Sequence, residues 1–452
     1  MRIYKSMFEI SIDSNGREFA FDKVDLLTAV VTLRSPSIVN RRHPLDLMLI
    51  CDKSGSMEGT KMDRMKETLS FMVKHGVDRE DKIGLVSFDE MVYSDLKLTK
   101  MDTRGREKAL DAIRGLKAGS TTNLSGGLLK GIELLQEEEE GEKEEEEFPE
   151  KRIRAVLLFT DGVANSGITD MPLMLEAIRS LMNEDIDLKI STFGFGADHN
   201  EDCLKQIAEQ WKGMYYYVEK VDAIPAAFAI CLGGLVSVVA QNASLALEAC
   251  QGATFEKVYN SGYKNSETKE GTWTLDLGDL CSGAEKNILV EVVLPRLPKE
   301  QPIMEQALRA RLRFFSVATN RFEEVEGTLS IARPLATPER KENMQIEEHR
   351  QRLLVAERME EASRLAAMGD VKGGKHLLKR TIDECQASIA AGTPTLIGLC
   401  NDLSDCCGAY TDSVTYRSIG SKLSKMSAMS HFRQESNHRS GLSYSGHAAS
   451  TQ

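Results

Sequence analysis

The sequence predicts an α/β unit built on a mostly parallel sheet, followed by an antiparallel β-sandwich and a C-terminal helical segment. Three observations carry this expectation. Short apolar runs at 47–51, 83–88, 155–159 and 188–193 alternate with stretches of helical spacing. Runs of that kind suit strands covered on both faces, and alternation with helices implies parallel crossovers. From about Ser244 to Arg333 the pattern changes to short alternating segments between turn residues, as in "GTWTLDLGDL" and "NILVEVVLP", which reads as a sandwich. After Pro334 and Pro338 helical spacing returns.

Taken in order, residues 7–12 and 26–33 read as two strands joined by a polar turn around Asn15-Gly16. They have no parallel partner nearby and are expected to pair with the sandwich, which makes the α/β unit an insertion into it. The expected division is 1–43 (N-terminal strands), 44–240 (α/β unit), 241–333 (sandwich), 334–412 (helices) and 413–452 (a largely disordered Ser-rich tail). Helices are expected near 61–75, 104–116, 124–136, 171–184 and 202–210. The first of them carries Met62, Met65, Leu69, Met72 and Val73 on one face. The acidic run "QEEEEGEKEEEEFPEKR" at 136–152 repels itself and is expected as a helix extension frayed into an inserted surface loop. In the C-terminal segment Thr393-Pro394 supplies an N-cap and a first-turn proline.

Composition bounds the function. The chain has 452 residues, enough for two or three domains, with 41% hydrophobic residues. A formal charge of -12 argues against a general nucleic-acid binder. Nine cysteines without any C-x-x-C pair argue against a disulfide framework or a zinc site, and reduced thiols point to a soluble cytoplasmic, intracellular protein. The uncharged stretch 223–247 is long enough to span a bilayer, but Pro225, Gln241, Asn242 and Ser244 interrupt it and acids flank it. A buried helix followed by a strand explains it better, so no membrane span is expected.

Chemistry concentrates where the strand 47–51 ends in "DKSGSM". "AGSTTNLSGGL" (118–128) puts Thr122 at a helix start, and "VLLFTDGVAN" (156–165) ends a second buried strand in Thr160-Asp161-Gly162. Ligands bind at this edge of open α/β sheets, so Asp52, Ser54, Ser56, Thr122 and Asp161 can converge. Hard oxygen donors alone select Mg²⁺, Mn²⁺ or Ca²⁺ over zinc or copper. Short hydroxyls can ligate directly while the carboxylates hold metal-bound waters. An Asp or Glu from a protein partner would then supply the missing negative charge. The polar residues are expected on surface loops, with no lysine or histidine beside them.

These three pieces, in this order, resemble the metal-ion-dependent adhesion site of von Willebrand factor type A domains, over residues 44–235. The resemblance implies a Rossmann-like fold, Mg²⁺ as the metal, and Asp52, Ser54, Ser56, Thr122 and Asp161 as its residues. Thr121 stands beside Thr122 as the alternative threonine. The stretches 231–248 and 261–295, with the tail "SAMSHFRQES", are similar to the region after the A domain in plant RING-type ubiquitin ligases. Protist A-domain proteins with an intein-like segment share it. The plant proteins hold a RING finger before the A domain, where this chain has about 40 residues and no cysteine. Ligase activity therefore does not carry over, and a RING-less component of ubiquitin pathways is what the resemblance implies.

Other motifs lead nowhere catalytic. "FGFGADH" lacks the third glycine of a dinucleotide fingerprint, and the acids of "DHNED" (198–202) suit a helix start. A metal-dependent interaction scaffold, not an enzyme, is the expected function. The alternative is a metal-assisted hydrolase or phosphatase, which lacks a recognisable nucleophile or base.

Overall fold

The structure is a computed structural model that describes residues 8–37, 42–145, 152–182, 188–259, 263–268, 271–337 and 342–436. The chain opens with strands β1 (Glu9–Ser14) and β2 (Asp25–Arg34). The α/β unit then runs β3 (Leu45–Asp52), α1 (Thr60–Phe71), β4 (Lys82–Phe88), β5 (Val92–Lys100), α2 (Thr103–Gly115), α3 (Leu124–Glu145), β6 (Ile153–Thr160) and α4 (Met171–Leu181). It continues with β7 (Leu188–Phe195), α5 (Glu201–Gln210), β8 (Tyr215–Val218) and α6 (Ile224–Val236). Its sheet has the order β5-β4-β3-β6-β7-β8, parallel except for β5. Every residue of β3 is buried, because helices cover both faces and the apolar run has no solvent side.

The sandwich is built from β9 (Val238–Ala249), β10 (Thr254–Val258), β11 (Lys264–Thr268), β12 (Thr272–Cys281), β13 (Glu285–Leu294), β14 (Gln301–Ser316) and β15 (Arg321–Arg333). Its sheets have the orders β1-β2-β13-β10 and β11-β12-β9-β14-β15. Strand β2 pairs antiparallel with β13 from Asp25↔Leu294 to Arg34↔Glu285. Leu27, Ala29 and Val31 of β2 thus share a core with Leu245, Leu247, Leu308 and Leu312 of the other sheet. The α/β unit lies between two strands, β2 and β9, that belong to this sandwich. The apolar stretch 223–247 resolves into α6 and β9. Among the described residues no helix is long and apolar enough to cross a membrane.

Helices α7 (Met344–Ala367), α8 (Val371–Ala387) and α9 (Pro394–Ala409) follow. The Thr393 side chain caps α9 by accepting from the Leu396 amide. Sequence reading then fails. Residues 413–436, expected as disordered tail, continue as α10 (Ser413–Thr415), a π turn (Tyr416–Gly420) and α11 (Ser421–Arg433). Helix α11 packs against α7, α5 and the edge strand β8, and it is buried on nearly all sides. Its serines are satisfied rather than solvated. Ser421 donates to Glu201 Oε1 at 2.6 Å, and Ser424 Oγ lies 3.0 Å from the Tyr410 hydroxyl. Lys422 and Lys425 pair with the same Glu201 carboxylate at 3.2 and 3.4 Å. Burial alone would raise the Glu201 carboxyl, but the Ser421 hydrogen bond and the two ammonium groups outweigh it and hold it at about 2. Composition signals disorder only when polar side chains have no fixed partners. Residues 437–452, the rest of the expected tail, lie outside the described residues.

Other differences are local. The helix expected near 124–136 is longer: the α3 backbone stays helical into the acidic run as far as Glu145, in line with the expected helix extension, and 146–151 lie outside the described residues. Strand β5 runs antiparallel at the sheet edge and is largely exposed, so it lacks the apolar run that marks its neighbours. The short β8, Tyr215–Val218, is fully buried but too brief for periodicity to reveal. The link between β1 and β2 spans residues 15–24 rather than a tight turn.

Candidate metal centre

Strands β3 and β6 are adjacent and parallel, so their carboxyl ends put Asp52 and Asp161 side by side. A 3-10 turn at Gly55–Met57 and Gly59 at φ +83° swing the chain from β3 into α1. Both turns keep Ser54 and Ser56 over the strand end. The loop before α3 is tied to this turn by Gly119 N donating to Lys53 O at 2.6 Å and Gly55 N donating to Ser120 O at 3.0 Å. The loop after β6 is tied to Thr122 in both directions. Thr122 N donates to Asn165 Oδ1 at 2.8 Å, and Asn165 N donates to Thr122 O at 3.1 Å.

Within this frame the polar side chains meet. Ser54 N donates to Asp52 Oδ1 at 2.7 Å, and Thr160 Oγ1 donates to Asp52 Oδ2 at 2.5 Å. The Ser54 and Ser56 hydroxyls lie 3.1 Å apart, and Ser56 Oγ donates to Asp161 Oδ1 at 2.7 Å. A side-chain carbon built onto Gly162 would lie 3.3 Å from Thr122 Oγ1 and 3.9 Å from both Asp52 Oδ2 and Ser56 Oγ. Oxygens from the turn after β3 and the loop before α3 therefore face one point on the loop after β6. Glycine at 162 leaves that point free.

The electrostatics call for a cation. Asp52 and Asp161 are both fully buried. Burial pushes the Asp52 carboxyl above its usual range, against the hydrogen bonds from Thr160 and Ser54, and the Asp161 charge pushes it further. Among the described residues no group of three His, Cys, Asp or Glu is placed to hold a metal. The donor set here is two carboxylates with three hydroxyls, which fits a hard divalent ion that keeps several waters.

All five expected residues, Asp52, Ser54, Ser56, Thr122 and Asp161, come together at this edge. Thr122 is buried while Thr121 is exposed, and the Thr122 hydroxyl faces the common point. Two expectations need correction. The site was expected on surface loops, but Asp52, Ser54, Thr122 and Asp161 are buried and only Ser56 is exposed. A strand end roofed by two laced loops is not a surface. No lysine was expected beside the site, yet the Lys61 ammonium of α1 contacts Asp161 Oδ2 and lies 3.4 Å from Ser56 O. Thr160, named only as the end of a strand, and Asn165 were given no role in the site. Only the apolar-run boundary hinted at Thr160, and nothing local marks Asn165.

The dinucleotide decoy resolves as ordinary structure. His199 is buried with Nε2 2.7 Å from the Tyr215 hydroxyl, and burial pushes its imidazole down to about 3. Asn200 caps α5 by accepting from the Cys203 amide.

A mostly parallel sheet with helices on both faces and polar loops at its carboxyl edge is the frame of a Rossmann-like α/β domain. Residues 46–229 match the von Willebrand factor type A domain, and the chain is a protein carrying that domain. Domains of this family mediate protein interactions and often hold a divalent metal at such an edge. The uncharacterized protein sll0103 of Synechocystis is 28% identical over 274 residues, 59% of this chain and 61% of that protein. The E3 ubiquitin-protein ligase WAV3 of Arabidopsis thaliana is 24% identical over 345 residues, covering 75% of this chain but only 42% of the ligase. The chain thus spans less than two thirds of either relative. Among solved structures, a von Willebrand factor type A protein from Catenulispora acidiphila superposes with a TM-score of 0.66 at 19% identity, covering 87% of this chain and 89% of that one. The shared fold extends well past the A domain, into the sandwich and helices.

Proposed function

We propose that the chain is a metal-dependent interaction scaffold that binds an acidic side chain of a partner protein at the β3–β6 edge. Asp52, Ser54, Ser56, Thr122 and Asp161 would hold the ion, with Mg²⁺ the expected metal and Mn²⁺ or Ca²⁺ able to replace it. When bound, the ion supplies an electrophilic position for an outside carboxylate oxygen. The observation that carries the reading is the meeting of the Thr122 and Ser56 hydroxyls and the buried Asp52 carboxylate around one point beside Gly162, with Ser54 and the buried Asp161 in contact with Ser56. The sandwich and helices orient this edge. Similarity to a plant protein named as a ubiquitin ligase supports, by analogy, a partner within ubiquitin transfer.

The runner-up is a metal-assisted phosphatase or hydrolase. Lys61 is the one basic side chain in contact with Asp161 among the described residues, and as an ammonium paired with that carboxylate it has no lone pair with which to take a proton. Affinity capture with Mg²⁺, repeated with chelator, tests the two. The partner should elute with chelator, and changing its ligating Asp to Asn or Glu to Gln should weaken binding by about thirty-fold or more. Phosphoester turnover should be absent at every metal concentration. Metal-dependent phosphoester hydrolysis that disappears in Asp161→Ala would overturn the scaffold and favour the enzyme.

A further inference from the structure

We propose that Lys61 is a tethered cation that offsets part of the negative charge of the metal-free site and is displaced when a divalent ion enters, so that it lowers the affinity of the site. This rests on the metal reading above. Lys61 stands in the first turn of α1, where the helix dipole disfavours a positive charge. No side chain caps that helix end. A residue that breaks the local rule at a site needs a compensating partner, and its partner is the fully buried Asp161 carboxylate. The other nearby cation does not serve. Lys53 is engaged elsewhere, 3.6 Å from Asp89 Oδ2 and 3.5 Å from the Tyr93 ring centre.

Charge counting gives the consequence. Two buried carboxylates face one ammonium, so the metal-free site keeps a residual negative charge. A divalent ion added to the ammonium would exceed the charge of both carboxylates. The ion and the ammonium would also compete for the same Asp161 oxygen. Lys61 can leave, because its stem is flexible and its side chain is already 28% exposed. Binding of the ion therefore includes breaking the Lys61–Asp161 pair. The released ammonium lies at the rim, where an incoming carboxylate arrives.

Calorimetric titration of the full chain with MgCl₂ tests this, comparing wild type with Lys61→Met and Lys61→Arg. Lys61→Met should bind Mg²⁺ about ten-fold more tightly, the size of effect a nearby charge has on an ionisable site. Lys61→Arg should bind more weakly, since guanidinium grips a carboxylate with two bonds. Melting in chelator should be lower for Lys61→Met than for wild type, and Mg²⁺ should restore more than it adds to wild type. A merely structural lysine would lower both melts alike. Unchanged or weaker Mg²⁺ binding by Lys61→Met overturns the tethered cation and leaves the metal centre standing. No Mg²⁺ binding by either protein overturns both.

Discussion

Asp52→Ala combined with Ser54→Ala should abolish Mg²⁺ binding, with affinity falling by more than about a hundred-fold, beyond what loss of an outer-shell partner costs a metal site. Wild type should show one binding event and gain about 2.7 kcal/mol of stability at metal concentrations a hundred times the dissociation constant. The double variant should gain none. It should also be less stable without metal. Asp52 accepts from Ser54 N and Thr160 Oγ1 in a buried setting, so truncation leaves donors unsatisfied at a cost of about 1–3 kcal/mol each. Ser56→Ala, at an exposed residue whose hydroxyl donates to Asp161 Oδ1, separates the effects. Its metal affinity should fall while its metal-free stability drops by only about 1 kcal/mol, one net hydrogen bond. Differential scanning calorimetry with and without Mg²⁺ reads both quantities, and a double variant that still gains stability from Mg²⁺ would refute the assignment.

Truncation after Tyr410 should have the second large effect, on folding itself. Leu423, Met426 and Met429 of α11 are almost completely buried, and three such side chains contribute roughly 5–9 kcal/mol of gross burial. That rivals the whole stability of a domain. The end of α11 also acts as a clasp. Arg433 donates to Gly213 O at 2.6 Å and to Glu209 O at 3.1 Å, at the far end of α5. Gln434 exchanges hydrogen bonds with the Asn287 backbone of β13 at 2.9 and 3.0 Å. The buried Lys286 donates to Gln434 O at 3.2 Å. One short segment thus ties the A domain to the sandwich, and deleting it takes the Arg433 and Gln434 carbonyls from Lys286 and the His431 carbonyl from the buried Arg352. The truncated chain should melt more than about ten degrees lower, or fail to accumulate as folded protein. A truncated chain melting within about two degrees of the full one would show α11 to be dispensable.

The parallel sheet was legible because its strands are buried on both faces, so that Leu47, Met48, Leu49 and Ile50 form a run no surface strand would carry. The meeting of Asp52, Ser54, Ser56, Thr122 and Asp161 was legible because two buried parallel strands, β3 and β6, each run into an aspartate at the same edge of the sheet. Alternation in β9 and β13 marked the sandwich in the same way. What escaped depends on partners distant in sequence. Lys61 looks like a solvated helix residue until β6 brings Asp161 beneath it. Ser421, Ser424, Ser427 and Ser430 look like tail composition until Glu201 and Tyr410 give two of them partners and all four are buried. A cation in the wrong turn of a helix was the one local sign available. For the serines, their recurrence every third residue between Leu423, Met426 and Met429 was a helical signal that composition obscured.

Crystals of the full chain grown with MnCl₂ and measured at the manganese absorption edge test the central claim most directly. A single anomalous peak is predicted at the carboxyl edge of β3 and β6, bounded by the oxygens of Ser54, Ser56 and Thr122, with Lys61 turned away from Asp161. An edge without that peak in manganese-saturated crystals, or Lys61 still paired with Asp161 beside a bound ion elsewhere, would contradict it.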